Sequence, residues 1–128
     1  MDHYRRIGAL RRKITRAGLS GLVVTHLPDV RYLSGFTGSS AALAVTRRAA
    51  RLLTDGRYTA QAAEEVSAAK VEIVSGAPAV SAVQWLAAQP GVDLAGFDPA
   101  WTAVAELARL KAALPARLRR SFLTALPA

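Results

Sequence analysis

The sequence predicts an α/β domain in which a mixed β-sheet is flanked by helices. Three observations carry that expectation. Short apolar runs containing β-branched residues alternate with stretches of helical periodicity. Glycine and proline stand at the joins, as at Gly18, Pro28, Gly56 and Pro99. Within residues 41–54 two apolar runs follow one another across a short turn, which makes a hairpin and a mixed sheet.

Each element has its own warrant. Tyr4, Ile7, Leu10 and Ile14 recur at helical spacing behind Asp2 as N-cap, and Gly18 closes the pattern as a C-cap residue. The first helix is therefore amphipathic, with an arginine-rich outer face. "GLVVT", residues 21–25, is bounded by Gly21 and Pro28 and reads as a buried, parallel-type strand. "PDVRYLSG" makes a turn of helix capped by Asp29, followed by the glycine-rich loop "GFTGSS" and the strand "AALAVT". "RRAARLLT" supplies a turn and the third strand. Next come the helix "RYTAQAAEEVSAA", the strand "KVEIV", the helix "AVSAVQWLAA" and, after the turn "QPG", the strand "VDLAGF". Asp98-Pro99 starts the helix "AWTAVAELARLKAAL", since proline suits a first turn, and Pro115 stops it. "ARLRRSFLTALPA" supplies a last strand and ends abruptly at Ala128, as expected of a piece of a longer protein.

The 128 residues suffice for one domain, 1–128, that buries about two thirds of its unfolded surface. With 52% apolar and 20% charged residues it is expected to fold alone. The absence of cysteine excludes disulfides, thiolate metal sites and a cysteine nucleophile. Charges are scattered through the N-terminal residues, unlike a secretory signal, and no run approaches the roughly 20 apolar residues that span a bilayer. A cytoplasmic location without a membrane partner is the expectation.

A net charge of +8 and a pI near 11.1 raise nucleic acid as a partner. The distribution argues against it. Lysines are confined to Lys13, Lys70 and Lys111, and the arginines spread over "YRRIGALRRKITR", "TRRAAR" and "ARLRR" amid abundant alanine. Two tryptophans, three tyrosines and three phenylalanines sit mostly in apolar contexts, whereas nucleic-acid surfaces interleave basic residues with exposed aromatics. A compositional bias toward alanine and arginine is the simpler explanation.

Little in the chain offers chemistry of its own. His3 and His26 form no H-E-x-x-H pair, and the acidic residues are scattered apart from Glu64-Glu65, so no metal site assembles. His26, at the end of the first strand, is either a ligand or base or, more simply, a structural histidine bonding backbone. Ser39 and Ser40 lie in a loop with no G-x-S-x-G elbow and no marked base, and no catalytic residue is expected. "GFTG", 35–38, matches the bare G-x-x-G of an RNA-clamping loop or an anion nest. Phe36 and Thr37 lack the basic character of a phosphate clamp, so a tight helix-to-strand connection is the plainer reading. Phe36 at the loop tip belongs either to the domain's core or to a partner surface.

"TDGRY", 54–58, combines several roles. Asp55 caps the following helix, Gly56 permits the turn, and Tyr58 packs against the sheet with its hydroxyl toward water. Arg57 stands at the positive end of that helix, which is unfavourable without a compensating anion. The anion is either Asp55 or Glu65 within the chain, or an external carboxylate, since open α/β sheets gather ligands beyond their strand ends.

Taken in order, "THLPDVRYLSGFTGSS", "LLTDGRYTAQAAEEV" and "AELARLKAALP" resemble the N-terminal domain of the creatinase, prolidase and Xaa-Pro aminopeptidase family, over essentially the whole chain. The resemblance implies an α/β domain with a mixed sheet that precedes a larger pita-bread domain. In that family the second domain holds two divalent metal ions, commonly manganese, on aspartate, glutamate and histidine ligands, and cleaves the bond preceding proline. It is absent from this chain, so no metal ligand carries over and no cofactor is expected here. What is implied is a non-catalytic domain that helps to form a homodimer or tetramer. By similarity its loops "GFTGSS" and "TDGRY" approach the active site, often that of a neighbouring subunit. Arg57, Phe36, Asp55, Tyr58, Thr37 and Ser39 become substrate- or partner-facing candidates, and Phe36 is expected to be exposed. The implied partners are the C-terminal catalytic domain, a neighbouring subunit and a proline-containing peptide. Two alternatives remain: a stand-alone basic module for RNA or an acidic protein, and a non-peptidase relative acting on a small guanidino compound.

Overall fold

The computed structural model describes residues 2–127. Helix α1, His3–Arg16, starts where Asp2 accepts a hydrogen bond from the Arg5 amide at 3.0 Å. Gly18, just beyond its end, takes a left-handed φ of +77°. Ile7 and Ile14 are buried on its inner face, as their spacing predicts. Strand β1, Gly21–Val24, is buried throughout and leads through His26 into α2, Leu27–Ser34. Asp29 does not cap α2. The helix begins earlier, with Pro28 in its first turn, and Asp29 lies within that turn, where its charge still favours the helix dipole.

Strands β2, Ala41–Thr46, and β3, Ala50–Thr54, form the predicted hairpin. The segment after β3 divides into a 3₁₀ turn, Gly56–Tyr58, and α3, Thr59–Glu65, which ends earlier than its alanine-rich sequence predicts. Then follow β4, Lys70–Ile73, α4, Pro78–Ala88, and β5, Ala95–Phe97. Helix α5, Val104–Ala112, starts later than the Asp98-Pro99 signal indicates. Asp98 instead closes a turn: its side chain accepts from the Ala100 amide at 2.9 Å and its carbonyl from the Thr102 hydroxyl at 2.7 Å. That turn lays Trp101 against His26, with ring centroids 3.8 Å apart and planes 9° from parallel. The His26 imidazole therefore stacks on an aromatic ring and, among the described residues, has no hydrogen bond to backbone, contrary to expectation. After Pro115 come a second 3₁₀ turn, Ala116–Leu118, and β6, Leu123–Ala125.

Among the described residues six strands form one sheet in the order β4-β3-β2-β1-β5-β6. Strand β2 is antiparallel to both its neighbours and the other three pairings are parallel. The expectation of a parallel-type first strand holds only on the β5 side. Every strand except β2 runs one way, so the exits of β1, β3, β4, β5 and β6 share an edge with the entrance of β2.

Alternation along the strands builds two cores. Leu22, Val24, Leu43, Val45 and Leu52 face one layer with Ile7 and Ile14 of α1, Val30 and Leu33 of α2, and Ala62 of α3. Val23, Ala42, Ala44 and Leu53 face the other, with Ala82, Val83 and Leu86 of α4 and Leu110 of α5. Small residues on β2 let α4 approach closely. Each fully buried leucine or isoleucine contributes about 1.5–3 kcal/mol, so both helical layers are held by burial and not by helix propensity.

Candidate functional site

Two loops meet at the edge where β3 exits and β2 enters. Residues 35–40 lead into β2, and residues 55–58 leave β3. Register places Ala41 opposite Thr54, and the buried Thr54 hydroxyl donates to the Ser40 carbonyl at 2.6 Å, so the loops are joined at their base.

Phe36 sits beneath them and is 1% exposed, in the same apolar cluster as Leu33 and Val45. This corrects the expectation of an exposed, partner-facing phenylalanine. Its ring meets Tyr58 edge to face, centroids 5.5 Å apart and planes at 89°, an arrangement the ring quadrupoles favour. A Cβ on Gly38 would stand 2.3 Å from the Phe36 ring and 3.0 Å from Tyr58. Glycine is required there for close approach, and its φ is not left-handed. Gly35 is different: its φ of +83° ends α2 and turns the chain over the core.

Several of the loop's polar groups are bonded within the domain. The Phe36 amide donates to Ser34 Oγ at 3.2 Å, the Thr37 amide to Glu65 Oε1 at 2.9 Å, and the Ser39 amide to the Tyr58 hydroxyl at 3.3 Å. The Thr37 hydroxyl donates to Glu65 Oε2 at 2.7 Å, and Gln61 Nε2 donates to Thr37 Oγ1 at 2.8 Å. Ser39 Oγ and the Tyr58 hydroxyl also share a short hydrogen bond. With these amides engaged, "GFTG" presents neither an anion nest nor an RNA clamp.

The arginine at the helix start has its anion two residues away. Asp55 Oδ1 accepts from the Arg57 amide at 3.0 Å and from Nε at 2.9 Å, and Oδ2 accepts from Nη2 at 2.8 Å. This planar fork is the strong form of a guanidinium–carboxylate contact. The hydrogen bond from the Arg57 side chain holds the Asp55 carboxyl at about 2, and Asp55 in turn raises the Arg57 pKa. The Ser39 hydrogen bond pulls the Tyr58 phenol below its usual value, and the Thr37 amide and hydroxyl do the same for Glu65. Arg57 nevertheless remains open to solvent, its side chain 69% exposed and its guanidinium 5.1 Å from the centre of the Tyr58 ring. Two of its five N–H donors are used on Asp55, and three are left for an outside acceptor.

The structure therefore brings Arg57, Asp55, Tyr58, Ser39 and Thr37 into one patch, with Phe36 beneath it. Glu65 and Gln61 complete the patch; their part rests on contacts 28 and 24 residues distant, for which the sequence holds no signal. Among the described residues no group of three or more histidine, aspartate or glutamate side chains could hold a metal ion, so the family's metal pair does not fit this domain. Among the described residues no helix is long and apolar enough to cross a membrane.

Comparison with known proteins agrees with this architecture. The structure of the N-terminal Creatinase/Prolidase-like domain of a metallopeptidase from Corynebacterium diphtheriae superposes with a TM-score of 0.81 at 29% identity, covering 100% of this chain and 97% of that one. The N-terminal domain of the cytoplasmic peptidase PepQ from Mycobacterium tuberculosis H37Rv gives 0.78 at 33% identity, covering 97% and 92%. The Xaa-Pro aminopeptidase app-1 of Caenorhabditis elegans is 40% identical over 73 residues, which are 55% of this chain and 12% of that enzyme. Against the curated relatives it matches, the chain spans between 10% and 16% of their length. The profile of the Creatinase/Prolidase N-terminal domain matches residues 6–123, and with the six-stranded mixed sheet this places the chain in that family.

Proposed function

We propose that this domain is the non-catalytic N-terminal part of a metal-dependent Xaa-Pro peptidase, of the aminopeptidase P or prolidase kind, working in the cytoplasm. Its role is to restrict access to the active site and to position short proline-containing peptides. It also contributes to a homodimer or tetramer in which the patch faces a neighbouring subunit. The catalytic domain that follows in such enzymes supplies the two divalent ions, manganese by resemblance.

One observation carries the proposal. Arg57 is held in a fixed orientation by Asp55, on a platform braced by Phe36, Tyr58 and the Thr37–Glu65 contact, yet stays open at the strand-exit edge. A preorganised guanidinium with spare donors fits the carboxylate of a bound peptide or an acidic rim around the site. Thr37 and Ser39 lie exposed on the companion loop, their hydroxyls bonded to Glu65, Gln61 and Tyr58, and the Tyr58 ring closes the flank of Arg57.

The test compares one substitution in two settings. In this domain Arg57→Ala should leave the melting temperature nearly unchanged, because exposed ion pairs contribute little. In the protein carrying both domains it should lower kcat/KM for Xaa-Pro peptides roughly ten- to hundredfold, the loss expected when a charge-assisted contact to substrate is removed. Arg57→Lys should recover part of this, since lysine keeps the charge but not the fork. A marked loss of domain stability with unchanged efficiency would confine Arg57 to a structural role.

A further inference from the structure

The opposite edge of the sheet carries a separate feature. There the turn between β2 and β3 lies beside the C-terminal half of α1. Arg11, Arg12, Thr15 and Arg16 of α1 and Arg47 of the turn surround a hollow of about 440 Å³. Arg47 also borders a second hollow, with Arg48, Ser20 and the Pro90–Gly91 turn.

The arrangement is built, not incidental. Thr46 Oγ1 accepts from the Arg48 and Ala49 amides at 3.2 and 2.9 Å, which fixes the turn. Arg11 Nε donates to the Thr46 carbonyl at 2.9 Å, which ties α1 to that turn and brings the charges together. Arg12 and Arg16 are an i,i+4 pair of like charges, unfavourable by itself. The dipole of α1 favours cations at this end, which accounts for Arg16 but not for Arg47 on another element. No acidic residue lines either hollow; Asp93, the nearest in the hydrogen-bond network, accepts from Ser20 Oγ. Among the described residues none of these arginines has a carboxylate within ion-pair distance. Arg11 is partly buried, so its charge is desolvated without a compensating anion.

The lining also selects the class of anion. The first hollow has no apolar residue, whereas protein interfaces centre on an apolar core, and it has no aromatic on which a base could stack. Four arginine side chains lining one shallow depression offer planar donors that suit a run of phosphates. We propose that this hollow is a binding site for an oligophosphate, either free or as the phosphate tail of a nucleotide. It lies away from the Arg57 patch and does not depend on the peptidase reading.

Isothermal titration of the purified chain with inorganic tripolyphosphate at low salt provides the test. Expected is saturable one-to-one binding, tighter than that of orthophosphate. Arg12→Gln and Arg47→Gln should each weaken it about tenfold, and the double variant further still. Both residues are exposed, so the melting temperature should hold. The control is Arg117→Gln with Arg120→Gln, which makes the same change in net charge elsewhere on the surface and should leave affinity nearly unchanged. Adenosine triphosphate is the second arm: affinity equal to tripolyphosphate means the phosphates alone are read, and tighter binding assigns the site to a nucleotide. Equal losses in the control and the site variants would overturn the proposal as a bulk charge effect. So would tighter binding by a glutamate decapeptide, which indicates an acidic protein, or by a thymidine dodecamer, which indicates a nucleic-acid strand.

Discussion

Replacing Gly38 by alanine tests whether the loop over residues 35–40 is part of the core. The Gly38 backbone lies outside the left-handed region, so alanine meets no conformational penalty of its own. The obstacle is contact. Its Cβ would stand 2.3 and 2.6 Å from two carbons of the Phe36 ring and 3.0 Å from Tyr58 Cδ1. Carbon atoms rest at about 3.5–4.0 Å, so ring or loop must shift by roughly 1 Å. Phe36 is 1% exposed and cannot swing into solvent without opening the core. Overpacking of this kind costs about 1–3 kcal/mol. Phe36→Leu removes the ring edge that the new methyl meets, at its own cost of about 1 kcal/mol or more from lost packing. The double variant should therefore be less destabilised than the sum of the single ones, by on the order of 1 kcal/mol. Urea unfolding at constant m reads all four corners of this cycle. Additive losses, or a Gly38→Ala variant as stable as the parent sequence, would refute the claim that Phe36 anchors the loop.

Two further predictions concern charge and metal. The Asp55 carboxyl is held near 2 instead of the ordinary 3.8, chiefly by the Arg57 side chain. A folded-state value below the unfolded one means that this contribution is present above about pH 4 and is lost as pH falls toward 2. Because the pair is exposed its contribution is small, so the urea midpoint should fall only slightly further between pH 5 and pH 2.5 in the parent sequence than in Arg57→Gln; a larger fall in the variant would contradict the assignment. The domain should also fold without metal and hydrolyse no Gly-Pro or longer Xaa-Pro peptide at any metal concentration. A far-UV circular dichroism signal that develops only when manganese is added would count against this.

Local signals in the sequence determined most of the element list. Asp2 as N-cap, the buried spacing of Ile7 and Ile14, the paired runs around the β2–β3 turn and the apolar segments of β1 and β5 depend on neighbours within a few residues, and all are read from the chain directly. The Asp55–Arg57 pairing was among the legible alternatives for the same reason, since its partners lie two residues apart. Where sequence and structure part, a distant contact outweighs a local preference. Proline at 99 favours a helix start, but Asp98 closes a turn and Trp101 stacks on His26, a partner 75 positions earlier, so α5 begins only at Val104. A phenylalanine between glycines reads equally as tip or anchor. Burying it gains apolar area only once the 3₁₀ turn brings Tyr58 against it and α3 holds Thr37 through Glu65, 28 residues away. The arginines of α1 and of the β2–β3 turn read as diffuse composition along the chain, and become one basic hollow only because sheet order sets that turn beside α1. Periodicity and capping act over one or two turns of chain, whereas burial and charge clustering depend on which surfaces the topology brings together.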